Sequence, residues 1–366
     1  MTTTRSGVSG RFERLVGVIP QNDRPSPTLP DGWTVVVPDL ADVPRLSELR
    51  AAQAAPFTGS DAPPTAQVEN EIAGAASWTR RHLAVKDDQD VVRAWAHAHD
   101  RAAGRAVLGI EIDRGLPVED QDRLAAWCYA RLAEIGREMA ELRGETTTQL
   151  DAGAFADDER LRGWLTDAGF RRARSWWQMT RPVAAEEAAP GVFPAPKDGV
   201  TVRRVAQHDN GMPVAEDLNA VHQVLETAFT DHFNSYQEYF TEFVQRLRED
   251  PGHRWDHWWL ACVEDPADPT GDAVPAGALV GSQLAADDSG VEGTYIDYIG
   301  ALAEARGRGV ATALLHAVVA DAAARGRNRV GLEVDADSPT GAEGLYRKLG
   351  WRTKYVTESW HRDVAV

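Results

Sequence analysis

Hydrophobic positions along this chain follow two periods, and the order in which those periods alternate is run through twice. Alternating or short apolar runs predict strands over 33–37, 82–85, 91–99, 106–112, 146–150 and 175–181. Between them apolar residues recur at helical spacing, as at Leu40, Val43, Leu46 and Leu49, and predict helices over 40–54, 66–75, 118–142 and 158–168. The plan then starts again. Strands are expected over 200–205, 258–263, 278–284, 294–302, 330–334 and 353–360, and helices over 215–229 and 236–249. A buried helix carries Val310, Leu314 and Val318, and the polar stretch 264–276 reads as a hairpin loop. Trp164-Leu-Thr-Asp-Ala-Gly-Phe-Arg171 parallels Leu345-Tyr-Arg-Lys-Leu-Gly-Trp-Arg352, so the chain reads as a tandem duplication of one α+β unit.

The pattern lapses in two places. Residues 1–30 are polar and Pro-rich around one small apolar patch and are expected to form a flexible arm. Residues 183–198 combine Ala with Glu186, Glu187, Pro190, Pro194 and Pro196 and have no usable period, which predicts an interdomain linker. The units are then 31–182 and 199–366. At 366 residues the chain is long enough for two cores.

Chemistry concentrates in one stretch of the second unit. Thr294, Ile296 and Tyr298 alternate with Tyr295, Asp297 and Ile299 until Gly300 breaks the strand, where a bulge or a close backbone approach is expected. Arg306-Gly307-Arg308-Gly309-Val310-Ala311 then leads into the helix with no Ser, Asp or Asn placed to cap it. Free N–H groups, a positive helix end and two arginines together suit an anion such as a phosphate ester. It is not a Walker loop, which needs Lys-Ser/Thr, nor a dinucleotide fingerprint, which needs a third glycine where Thr312 stands. Further on, 337–351 reads as a capped helix, with Ser338 as N-cap, Pro339 at the first helical position and Gly350 past the end.

Arg306, Gly309 and Ala311 match the pattern Arg/Gln-x-x-Gly-x-Gly/Ala, and Leu345, Tyr346, Gly350 and Trp351 match Leu-Tyr-x-x-x-Gly-aromatic. Both motifs, in this order, resemble the GNAT superfamily of acyl-CoA-dependent N-acyltransferases. With the duplication, the chain is similar to the tandem GNAT proteins of the mycothiol synthase group, and Phe229-Thr-Asp-His-Phe233 looks like a segment they carry between their first helices. Tyr295 stands where mycothiol synthase has a strand glutamate. The resemblance implies two GNAT-like domains, each a mostly antiparallel twisted sheet flanked by helices, and direct attack of an amine on acetyl-CoA or another acyl-CoA. It places the pantetheine against the backbone of Ile299 and Ala301, and the pyrophosphate on Arg306, Gly307, Arg308, Gly309, Val310, Ala311 and Thr312, with Ser338 nearby. It makes Tyr346 the general acid for the departing thiolate, against the alternative of a core aromatic beside Ala342 and Leu349. Asp297 is the candidate base, with Tyr295 through a water, Glu292 and the Asp231–His232 pair also open.

The first unit lacks this chemistry. Leu165 stands where the second has Tyr346, and Leu116-Pro-Val-Glu-Asp-Gln-Asp122 brings three carboxylates and no glycine to the helix start. A carboxylate and a phosphate about 4 Å apart repel by roughly 4 kcal/mol at an effective dielectric near 20. The helix end offers only about 1–2 kcal/mol in return, so the first unit is expected not to bind CoA in this way.

Composition narrows the partners. A net charge of −17 opposes binding to nucleic acid or an anionic membrane, so an anionic cofactor needs a local basic patch. Cys128 and Cys262 are too few for a disulfide framework, and no apolar run approaches a membrane span, which predicts a cytoplasmic protein. Lys is scarce beside Arg, a hint of a GC-rich bacterial genome. His253 and His257 read as loop-to-strand residues, and no metal is expected. Trp255, Trp258 and Trp259 are either core or pocket residues. The expected acceptor is a small-molecule amine. An acyl-CoA sensor without catalysis and a protein acetyltransferase remain as other readings, and monomer and homodimer are both open.

Overall fold

The computed structural model describes residues 27–101, 104–230, 239–264, 271–337 and 341–366. The arm expected over 1–30 thus lies almost entirely outside the described residues. In the first unit, β1 (Thr34–Val36), α1 (Val43–Thr58) and α2 (Thr65–Ala73) precede β2 (Arg80–Lys86), β3 (Val92–Arg101) and β4 (Arg105–Ile112). Then come α3 (Val118–Leu142), β5 (Thr147–Phe155), α4 (Glu159–Asp167) and β6 (Arg171–Pro182). The second unit repeats this order with β7 (Val200–Arg204), α5 (Ala215–Ala228), α6 (Phe240–Arg248), β8 (His253–Val263), β9 (Val274–Leu284) and β10 (Gly293–Ala301). It closes with α7 (Val310–Ala324), β11 (Arg329–Asp335), α8 (Ala342–Lys348) and β12 (Arg352–Ala365). The hairpin loop is shorter than 264–276 because β9 begins at Val274, pairing there with Val263.

The two units share one 12-stranded sheet in the order β1-β2-β3-β4-β5-β12-β6-β11-β10-β9-β8-β7. All pairings are antiparallel except β4–β5 and β10–β11. The last strand of each unit has crossed into the other. β6 runs beside β11 from Arg329↔Pro182 to Asp335↔Trp176, while β12 runs beside β5 from Thr357↔Phe155 to Ala365↔Thr147. The two exchanged strands also pair with each other.

Packing follows the exchange. The first core, built on Leu124, Cys128 and Leu132 of α3 against Leu108, Ile110 and Leu150, is completed by Trp360 and Val364 of β12. The second, built on Leu314, Leu315 and Val318 of α7 against Val330 and Leu332, is completed by Met179 of β6. Each such side chain contributes about 1.5–3 kcal/mol by burial, so each core depends on a residue of the other unit. Both exchanged strands are longer than their hydrophobic runs suggest, because pairing on two edges holds even their polar ends in the ladder.

The linker is packed. Arg181 grips the Glu187 carboxylate and donates from Nε to Leu349 O at 2.7 Å. Ala185–Ala188 forms one helical turn, and Phe193 stacks on His316 of α7 with ring centroids 4.7 Å apart. Its composition carried no period because it lies on a surface formed by other segments.

Residues 199–366 expressed alone would expose the β11 edge that β6 covers. They are expected to aggregate on size exclusion, and co-expression with residues 1–198 is expected to restore one stable complex. A folded, monomeric 199–366 fragment would contradict this dependence.

Candidate active site

The site is opened by two ladders that diverge. β10 pairs with β11 only at Thr294↔Val330, Tyr295↔Gly331 and Ile296↔Leu332, yet stays with β9 through Ala301↔Gly277. β11 meanwhile keeps full register with β6. Leu302 N donates to Ala276 O at 2.8 Å, so by strand alternation Gly300 also faces β9. Ile299 and Ala301 therefore turn their backbone groups toward the side that β11 has left.

The bulge expected at Gly300 lies instead at Asp297, where the β9–β10 register slips between Ile296 and Tyr298. Gly300 answers a close approach. A Cβ there would lie 2.9 Å from Ala228 Cβ and 3.2 Å from Leu225 Cδ2, both on α5.

Beyond β10, the loop into α7 forms a groove of about 540 Å³. Gly307 and Gly309 sit at φ +79° and +81°, backbone that glycine adopts without strain. Ala313 N is the first amide to bond back, to Gly309 O at 2.9 Å, and no side chain caps the helix. The amides of Val310, Ala311 and Thr312 are thus left to an external acceptor. Ala301, Arg306 and these loop residues line the groove with Pro194–Lys197 from the linker, and no carboxylate is among the lining residues. In a chain of net charge −17, this is a fitting cradle for a phosphate ester.

Arg308 is not part of that wall. Its guanidinium donates to Glu264 O at 2.8 Å and to Gly199 O at 3.3 Å, bracing the linker's end. In its place stands Lys197, a residue the sequence pattern passed over. Its stem covers Gly309, and its Nζ donates to Gly307 O at 2.7 Å.

A second cavity, of about 200 Å³, opens on the other side of β10 and is lined by Asp297, Tyr295, Tyr298, Ser282 and Glu333 with Arg246, Leu247, Asp250 and His253. Burial, then the nearby Asp250 carboxylate, raises the Asp297 carboxyl to about 7, while Ser282 Oγ, 3.3 Å away, offsets only part of this. Burial also raises Glu333, partly offset by the Gln178 amide donating at 2.8 Å. His253 is lowered to about 4 by burial and then by Arg248 and Arg254, so it is neutral at pH 7. Asp250, Ser282 and Glu333 had no signal in the sequence, being single polar residues, and His253 was read only as a structural residue.

The first unit holds part of this wall. Glu249, beside Asp250, accepts from Thr79 Oγ1 at 2.8 Å and Arg80 Nη1 at 2.7 Å, with His99 Nε2 at 3.2 Å. Asn70 donates to its carbonyl. Burial would raise the Glu249 carboxyl, but His99, Arg80 and Thr79 outweigh it and hold it at about 2.

Tyr346 lies on α8 in the core that contains Val310, Leu314 and Val334, with its ring 6.2 Å from Trp351. It lines neither cavity. Burial pushes its hydroxyl up to about 12, so it stays protonated. Ser338 and the Asp231–His232 pair lie outside the described residues, and α8 as described begins after Gly341. Glu292 is exposed just before β10 and lines neither cavity. His253 and His257 both lie in β8, and among the described residues no three His, Cys, Asp or Glu side chains converge on a metal position. Trp258 and Trp259 are core residues.

The corresponding stretch of the first unit is closed. β4 also parts from its parallel neighbour, after Leu108↔Ala152. Here Arg50 binds both Glu71 oxygens and Glu111 Oε1, each at 2.9 Å, while His97 lies over Gly109. Burial would raise Glu111, but Arg50 and His97 hold it at about 2. At the start of α3, Gln121 donates to Arg114 O and Leu116 O, and Glu119 and Asp120 occupy the first turn. Ion-paired side chains of the first unit occupy this stretch.

Residues 219–351 match the acetyltransferase (GNAT) family. The mycothiol acetyltransferase of Salinispora arenicola is 28% identical over 345 residues, spanning 88% of this chain and 95% of its own. Among solved structures, a GCN5-related N-acetyltransferase from Sphaerobacter thermophilus superposes with TM-score 0.69 at 22% identity, covering 93% and 98% of the two chains. A tandem GNAT protein from the clavulanic acid biosynthesis pathway gives 0.63 at 15% identity, covering 90% and 98%. These structural likenesses concern the fold, which is that of tandem GNAT proteins.

Asp297 also sets a stability prediction. With a folded value near 7 and an unfolded value near 3.9, the native state holds a proton the unfolded chain has lost between those pH values. Stability therefore falls as pH rises through that window. Asp297→Asn is expected to raise the melting temperature by about 2–4 °C at pH 8 and leave it unchanged at pH 4, after discounting for the cavity's access to water.

Proposed function

We propose that this protein transfers the acetyl group of acetyl-CoA to a primary amine of a small molecule by direct attack, a reading supported by the match of residues 219–351 to the acetyltransferase (GNAT) family. The observation that carries this reading is the arrangement along β10. Ala301 borders an acid-free cationic groove, and Asp297 borders a cavity with a carboxyl poised near neutrality. They stand four positions apart on the strand, roughly 13 Å.

The roles follow from that placement. The amides of Val310–Thr312 and the Arg306 guanidinium bind the phosphates, and the outward backbone of Ile299 and Ala301 orients the acyl-bearing arm. Acetyl-CoA supplies the activated acyl group. In the cavity, Asp297 Oδ takes the proton from the ammonium of the acceptor, a task for which a carboxyl near 7 is far better matched than an ordinary one near 3.9. The Tyr346 hydroxyl, kept protonated by burial, gives its proton to the departing sulfur. This last step requires Tyr346 to reach the opening between β10 and β11 from its place on α8.

A small acceptor is favoured over a protein because the cavity is small and the first unit grips Glu249, the neighbour of the lining residue Asp250. The name of the relatives, mycothiol acetyltransferase, points the same way. Two free buried cysteines fit a reducing compartment.

Three measurements test the reading. Isothermal titration is expected to find one acetyl-CoA site per chain, lost in Gly309→Glu. A second site would reopen the first unit, and none would remove the cofactor from the proposal. Tyr346→Phe is expected to lower kcat about 100-fold with acetyl-CoA affinity unchanged. With an amine found by screening, kcat/KM should rise with pH through about 7, because Asp297 must be ionised to act, and Asp297→Asn should remove that inflection.

A further inference from the structure

The groove beside α7 has two walls of different origin. One is the loop and first turn of α7, and the other is Pro194–Lys197, from the segment that joins the units and lies outside residues 219–351. Prolines at 194 and 196 stiffen that second wall. It is fixed on both sides, by the Phe193–His316 stack and by Arg308, which ties Gly199 O to the end of β8. Lys197 lies between these anchors. It is exposed, and its ammonium is held at the lip of the groove by a single backbone acceptor, Gly307 O.

We propose that the joining segment is a working wall of the acyl-CoA site and that Lys197 takes the phosphate-binding role that Arg308 has given up. Four points carry this. Arg308 spends both terminal guanidinium nitrogens on the carbonyls of Gly199 and Glu264, so its charge is directed away from the groove. Lys197 packs across Gly309, within 3.5–3.6 Å of the position a Cβ would take, so its stem lies directly over the turn whose amides face the ligand. A carbonyl is a weaker partner for an ammonium than a phosphate oxygen, so Nζ gains by exchanging Gly307 O for an arriving phosphate. No carboxylate in the lining competes for it.

This inference rests on the acetyl-CoA reading above, and the test separates the two. Wild type, Lys197→Met, Lys197→Gln and Lys197→Arg are titrated with CoA and with dephospho-CoA by calorimetry at low and high salt. The melting temperature of each free protein is measured alongside. If wild type binds no CoA, the acetyl-CoA reading fails, whatever Lys197 does. If it binds, Lys197→Met and Lys197→Gln are expected to weaken CoA binding about five- to ten-fold at low salt and less at high salt. Lys197→Arg should recover most of the loss, and free-protein melting temperatures should be unchanged. A loss seen with CoA but not with dephospho-CoA would assign Lys197 to the 3′-phosphate. A loss seen with both would assign it to the pyrophosphate. Wild-type affinity in Lys197→Met would overturn the proposal. So would full affinity in Lys197→Gln, since that side chain can still bond Gly307 O but carries no charge.

Discussion

The structure depends on β11 being held from its far edge. β6 keeps β11 in register over its full length, while β9 keeps β10 to Ala301, so the two central strands are drawn apart after Ile296. A strand that leaves its neighbour exposes backbone donors and acceptors that must find partners elsewhere. The opening between β10 and β11 is therefore where a ligand is best received. β6 comes from the first unit, so that unit shapes the candidate site.

That division explains why a unit without the motifs is still part of the enzyme. Its own equivalent opening is filled by Arg50, Glu71, Glu111 and His97, an ion network that no phosphate or amine displaces cheaply. The first unit supplies a strand and a hydrophobic cap, and its Thr79, Arg80 and His99 clamp Glu249 beside the second cavity.

The charge layout follows the same division of labour. Strong negative charge over the whole chain would repel an anionic cofactor, yet the groove lining carries Arg306 and Lys197 and no acid. The carboxylates gather on the other side of β10, where Asp250 and burial together keep Asp297 from ionising at its ordinary pH. One strand thus borders both a groove whose lining carries cations and no acid and a cavity whose lining carries carboxyls.

The sequence by itself determined the duplication, the order of elements in each unit, and the glycine-rich turn that opens α7 uncapped, because hydrophobic period and glycine placement are local properties. Asp297 was legible for the same reason, as a carboxylate on the strand that leads into that loop. The rest was decided by pairing across long separations. Nothing local distinguishes a last strand that stays with its own sheet from one that crosses over, since both show the same alternation. Arg308 and Lys197 look alike as exposed cations until the linker is laid on α7. Then Gly199 and Glu264 present carbonyls to one, while the groove lies open beside the other. Which cation faces the ligand is a matter of which backbone acceptors the tertiary fold leaves within reach, and the sequence does not encode that locally.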